Sequence, residues 1–162
     1  MSTVRAIPEG YHSLTPSIIC KNAARAIEFY KEVFHAKELN RMNGPGDKIG
    51  HAELQIGDSR LMLSDEFPGM AHAPGPNPVT SISLFVYTDN VDALFERAVK
   101  AGSQVEMPLQ NQFWGDRYGK IRDPFGHQWN LAQHVEDVAP AEMERRASAW
   151  MAQMARAAGG HG

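Results

Sequence analysis

The sequence is short of several things that would assign a function quickly. It holds a single cysteine, Cys20, so no disulfide can form within the chain, and one thiol without a CxxC neighbour cannot build a cysteine zinc site. No apolar run approaches the roughly 20 residues that a membrane span requires, and the opening MSTVRAIPEGYHSL lacks the apolar stretch of a secretion signal. The formal net charge is only −3, which provides no basic field for phosphate backbones and argues against nucleic-acid binding. No glycine-flanked serine elbow or Cys–His pairing stands out, and GPGDKIG lacks the residue order of a phosphate loop. These absences leave the expectation of a reduced, cytoplasmic setting.

What is present fits one globular domain, or two small units fused around a shared sheet. The chain has 162 residues, of which 43% are hydrophobic and 22% charged, as in ordinary globular proteins. Residues 1–11 read as a lead-in broken by Pro8 and Gly10. Leu14 to Cys20 reads as a strand with Leu14, Ile18 and Cys20 facing the core and Thr15 and Ser17 opposite. Asn22 can cap a following helix, whose buried stripe is Ala23, Ile27, Tyr30 and Phe34. Strands are expected at 36–43, 48–56 and 59–65, the last two joined by Gly57-Asp58.

From 67 to 79 four prolines and two glycines exclude helix and central strand, so this stretch reads as a linker. Thr80 to Tyr87 then alternates as a strand, and Asn90 can cap a helix from Val91 to Ala101 that ends at Gly102. A strand from Ser103 to Met107 follows. The segment QFWGDRYGKIRDPFGHQWNLAQH, residues 112–134, reads as a hairpin reversing at Asp123-Pro124-Phe125-Gly126, with proline and glycine placed as a type I turn prefers. Strand, helix, strand, strand, strand therefore occurs twice, at 12–66 and 80–134.

Two such units can lay their sheets edge to edge around a cleft, each helix covering the outer face. On the third and fourth strands Ala52, Leu54, Ile56, Leu61 and Leu63 form the apolar set, while His51, Glu53, Gln55, Arg60, Met62 and Ser64 alternate toward the cleft. In the second unit Trp114, Asp116 and Tyr118 share a side, as do Gln128, Asn130 and Ala132, whereas Trp129 shares the core side with Leu131. Phe85 and Tyr87 share the cleft face with Ser81 and Ser83. Such a mixture of polar and aromatic groups suits a small-molecule pocket. Trp114 and Tyr118 can stack on a planar or cationic ligand with Asp116 as its anchor; alternatively Trp114 fills a gap between the modules and Asp116 pairs with Arg117 or Arg122.

The run AARAIEFYKEVFHAKEL, the doubled strand order and KIRDPFGHQWNL resemble the vicinal oxygen chelate superfamily, which includes glyoxalase I, bleomycin-resistance proteins and extradiol dioxygenases. HAELQIGDSRLMLSDE together with FWGDRYG is most similar to its PhnB-like, glyoxalase/bleomycin-resistance-like branch, and the resemblance spans about residues 12–134. It implies an α+β fold in which paired βαβββ modules form a cupped mixed sheet, with helices on its outer face and a homodimeric assembly. Metal-dependent members hold a divalent ion with histidine and glutamate on the first and last strands of each module. Those positions correspond here to Thr15, Met62, Ser81 and Asn130, which are poor ligands for such an ion. No metal or other cofactor is therefore expected.

His51 and Glu53, two apart on a strand, point the same way and could begin a metal site that Asp116, His127 or His134 would complete. The plainer reading has them hydrogen-bond to each other or to Arg60, with His127 serving the turn. Two functions follow. The first is metal-free capture of a small aromatic or cationic molecule, with Thr15, His51, Glu53, Met62, Phe85, Trp114, Asp116, Tyr118 and Asn130 as lining. The second is a metal-dependent glyoxalase-type lyase or isomerase in which Glu53 moves a proton; a purely structural or regulatory dimer is a third. Beyond the resemblance, Pro140 can open a helix with Met143, Ala147, Trp150 and Met154 as its stripe, docking on the parent domain or a sister subunit or serving as a recognition surface.

Overall fold

A computed structural model describes residues 4–159. The first module consists of β1 (Ser17–Cys20), α1 (Ala23–Phe34), β2 (Lys37–Asn43), β3 (Ile49–Ile56) and β4 (Ser59–Asp65). The second repeats the order as β5 (Leu84–Tyr87), α2 (Val91–Lys100), β6 (Gln104–Asn111), β7 (Asp116–Arg122) and β8 (Gln128–His134), and α3 (Pro140–Gly159) follows. Each module forms a four-stranded mixed sheet, ordered β1-β4-β3-β2 and β5-β8-β7-β6, with the first strand parallel to the last. The paired α+β architecture expected from the sequence is thus present.

Both module helices start in the same way. Asn22 accepts a hydrogen bond from the Arg25 amide and Asn90 one from the Ala93 amide, each at 3.1 Å, satisfying a donor that the first turn leaves free. The backbone angles of the two caps agree within a few degrees, at φ −143°, ψ 82° and φ −145°, ψ 80°. Ala23, Ile27, Tyr30 and Phe34 are buried as their spacing predicts, and so are Ala52, Leu54, Leu61 and Leu63 beneath α1.

No ladder joins the two sheets among the described residues. The seam is made by side chains and a turn. Trp129 of β8 packs on Phe34 of α1, with ring centroids 4.4 Å apart, and on Tyr30 at 5.4 Å. Asp123, 4% exposed, stands at its centre. Its Oδ1 accepts from the Phe125 and His127 amides, both at 2.9 Å, which shapes the hairpin turn; its Oδ2 accepts from the Tyr30 hydroxyl at 2.7 Å and the Trp129 indole at 2.9 Å. Gly126 closes the turn at φ +92°, a conformation that suits glycine, with its amide 3.0 Å from the Asp123 carbonyl. His127 reaches across to the Ile19 carbonyl at 2.9 Å, so it joins the modules as well as serving the turn. Burial pushes the neighbouring Cys20 thiol up to about 12, and it remains an un-ionised core group.

Four strand boundaries differ clearly from the expectation. The hairpin's first strand begins at Asp116 rather than Gln112, which leaves Trp114 in the turn before it. The first strand begins at Ser17, not Leu14, and Leu14 is 86% exposed rather than in the core. Pro16 has no amide to donate; its carbonyl still accepts from Met62, but the chain before it leaves the ladder. The fifth strand begins at Leu84 rather than Thr80, because the Thr80 hydroxyl bonds both the carbonyl and the amide of Ile82 and closes a local turn. Ser81 consequently lies exposed outside the strand. Conversely β6 runs on past Met107 to Asn111, tolerating Pro108 because it is an edge strand with register shifts.

Removing the hydroxyl in Tyr30→Phe is expected to destabilise the fold by about 1.5–3 kcal/mol, the usual worth of a hydrogen bond to a charged group. Asp123→Ala should cost more, because it strands the Tyr30 and Trp129 donors together. Urea denaturation followed by circular dichroism measures both; an unchanged midpoint for Asp123→Ala would refute this account of the seam.

Candidate functional site

The second sheet carries the densest cluster of site-like groups. Parallel pairing sets Phe85 beside Asn130 and Tyr87 beside Ala132, while antiparallel pairing sets Asp116 opposite His134 and Tyr118 opposite Ala132. Strand alternation then places Phe85, Tyr87, Asp116, Tyr118, Asn130 and His134 on one face. Phe85 stacks on Tyr118 with centroids 5.9 Å apart and planes 24° apart, and Trp114 meets Tyr118 edge-on at 5.8 Å. Phe85 and Tyr87 remain open to solvent, 49% and 61% exposed.

Asp116 organises this wall. It is 3% exposed and accepts from the Tyr87 hydroxyl at 2.8 Å, the Trp114 indole at 3.0 Å and His134 Nδ1 at 2.9 Å. Burial alone would raise its carboxyl, but the bonds from His134, Tyr87 and Trp114 outweigh burial and hold it below the usual carboxylate range. His134 Nε2 lies 2.8 Å from Asp137, so its ring stands between two carboxylates, chiefly Asp116, and its value is raised. The expected pairing of Asp116 with Arg117 or Arg122 is not found, because those arginines bond Asp92 and Glu106. With three donors on its two oxygens, Asp116 orients the rings around it.

Asn130 is equally committed: its carbonyl oxygen accepts from the Tyr118 hydroxyl, and its amide donates to the Ser83 hydroxyl at 2.6 Å. On the first sheet, His51 Nε2 lies 3.1 Å from Glu53 Oε1. The neighbouring Tyr11 hydroxyl, and then His51, stabilise the charged Glu53 carboxyl and hold it below its ordinary value. Arg60 turns away from this pair, donating to the Gly10 carbonyl at 3.1 Å and lying over the Tyr11 ring. Met62 is the cross-strand partner of Glu53.

Between the modules a cavity of about 700 Å³ separates β5 from the segment before β1 and the β3–β4 turn. Thr15 and Arg60 stand on one bank, Phe85 and Tyr87 on the other, with Phe34 and Trp129 among its lining. The structure thus gathers Phe85, Trp114, Asp116, Tyr118 and Asn130 into one cluster, puts Thr15 across the cavity from it, and leaves His51, Glu53 and Met62 on the other sheet. Tyr87 and His134 are integral to the cluster through Asp116. Alternation alone marked Tyr87 as lining, but a bond spanning 29 residues leaves no local signal.

The donors do not fit the divalent ion of metal-dependent relatives. Thr15 offers a hydroxyl, Met62 a thioether, Ser81 lies outside the strand, and both ends of the Asn130 amide are spent. Among the described residues no three His, Cys, Asp or Glu side chains converge to hold a metal. Among the described residues His51 and Glu53 are therefore a pair without a third ligand.

Residues 11–131 match the family model of the Glyoxalase/Bleomycin resistance protein/Dioxygenase superfamily. An uncharacterised protein of Mycobacterium bovis is 40% identical over 136 residues, covering 82% of this chain and 90% of that one. TioX from Micromonospora sp. ML1 superposes with a TM-score of 0.61 at 28% identity, over 76% of this chain and 99% of its own. The PhnB protein from Bacillus cereus shares the fold, with a TM-score of 0.60 at 18% identity over 75% and 99% of the two chains. The paired modules, the seam and these matches agree: the chain belongs to the glyoxalase, bleomycin-resistance and dioxygenase superfamily, with PhnB among its structural neighbours. No helix among the described residues is long and apolar enough to cross a membrane.

Because His134 is raised in the folded state, its pairing contributes stability fully below the unfolded imidazole value of about 6.5 and loses that contribution as pH rises through the folded value. NMR titration of the His134 ring is expected to give a midpoint above the ordinary one, moving down in Asp116→Asn. A midpoint at or below the ordinary value would contradict the two-carboxylate geometry.

Proposed function

We propose that the protein captures a small planar aromatic or cationic molecule, without a metal, against the wall formed by Phe85, Trp114 and Tyr118 and the adjoining cavity. The observation that carries this reading is the buried Asp116 carboxylate, which fixes Tyr87 and Trp114 beside the stacked Phe85 and Tyr118 rings. Rings already oriented lose little freedom on binding, so more of the burial energy, about 25 cal/mol per Å² of apolar surface, reaches the affinity. Electron-rich faces also favour a cation. Because the charge of Asp116 is met by three protein donors, selectivity for positive charge rests on the rings. Thr15 faces the guest from across the cavity, and Asn130 contributes by holding Tyr118.

A homodimer in the cytoplasm completes this reading. Leu14, which lines the cavity, and Ile82, next to the cavity-lining Ser83, are 86% and 75% exposed, an apolar surface that a second copy would cover. The glyoxalase-type alternative built on His51 and Glu53 finds no third ligand among the described residues.

Titration with proflavine, a planar aromatic cation, tests the proposal through tryptophan fluorescence and calorimetry. Saturable binding is expected, and Trp114→Ala or Tyr118→Ala should weaken it about tenfold, in the range of a partly desolvated cation–π contact. Affinity unaltered by both substitutions would remove the wall from the site. Light scattering should give twice the chain mass for the free protein.

A further inference from the structure

The C-terminal helix α3 lies outside the 11–131 family match, yet its contacts converge on the loop that carries Trp114. None of its residues is buried, so it adds nothing to the core. Its contacts back to the second module are few and specific. The Trp150 ring lies 5.7 Å from that of Phe113, and Arg146 Nη1 donates to the Phe113 carbonyl at 3.2 Å. Arg146 is itself held by Glu142 and Glu136, each at 2.8 Å, so the donor is aimed before it reaches the loop. Phe113 in turn meets Trp114 edge-on at 5.2 Å.

The loop is pinned at its other end. The Gly115 carbonyl accepts from the Val135 and Glu136 amides at 2.9 and 3.0 Å. Gly115 has φ +99°, and a Cβ there would lie 2.2 Å from the Glu136 carbonyl, so only glycine lets the two segments pass so closely. Trp114 therefore sits between an anchor in the domain and an anchor in α3.

We infer that α3 positions the aromatic wall: Trp150 and Arg146 are positioning residues that act through Phe113 to set the Trp114 indole on Asp116. The inference rests on the proposed aromatic site, but its first readout needs no ligand. Hydrogen exchange of the full-length protein, at the Trp114 indole N–H and the Gly115 amide, compares wild type with Trp150→Ala and Arg146→Met. Trp150→Ala should speed exchange there by about tenfold, the scale of one aromatic pair, while β8 amides stay as they were. Trp150→Phe should restore slow exchange, and Met154→Ala, further along the helix, should alter nothing. Proflavine affinity should fall with the loss of protection and return with the phenylalanine variant.

Unchanged exchange at both sites in Trp150→Ala and Arg146→Met would overturn the inference, as would faster exchange spread evenly through β8, which marks general destabilisation. If wild-type protein binds no proflavine, the aromatic-site reading fails for that ligand class, while the exchange data still decide whether α3 sets Trp114.

Discussion

The fold depends most on one buried carboxylate. Asp123 closes the β7–β8 turn with one oxygen and ties α1 of the other module to the core tryptophan with the other. Four donors around a single anion offset the cost of removing its charge from water. The site inherits this arrangement, because β8, which starts from that turn, carries Asn130 and His134 into the aromatic face. A second buried carboxylate, Asp116, repeats the principle within the site. One anion thus aligns the modules and the other aligns the rings.

Much of the fold was legible in the sequence because local chemistry specified it. Asn22 and Asn90 announced the helix starts, Asp123-Pro124-Phe125-Gly126 announced the reversal, and alternation sorted Leu54 and Leu63 from Glu53 and Met62. The misplaced strand starts arose where a side chain or a missing amide competes with the ladder, at Thr80 and Pro16. Propensity does not report such competition.

The site was less legible. Alternation brought Phe85, Tyr118 and Asn130 to one face, but the partners of Asp116 come from three separate segments, and neighbouring arginines misled the sequence reading. The two faces also proved chemically unlike. One sheet holds a His–Glu pair beside a buried tyrosine hydroxyl, and the other a stacked aromatic array. Which residues of the two modules face a common space depends on how they meet along the seam, a long-range property that no short motif encodes.

The near-identical asparagine entries to α1 and α2 carry a consequence of their own. Each half carries its own starting instruction for its helix, a side-chain oxygen that meets a first-turn amide without help from the other half. The two helix starts are thus the same while the sheet faces differ, one bearing a His–Glu pair and the other stacked rings.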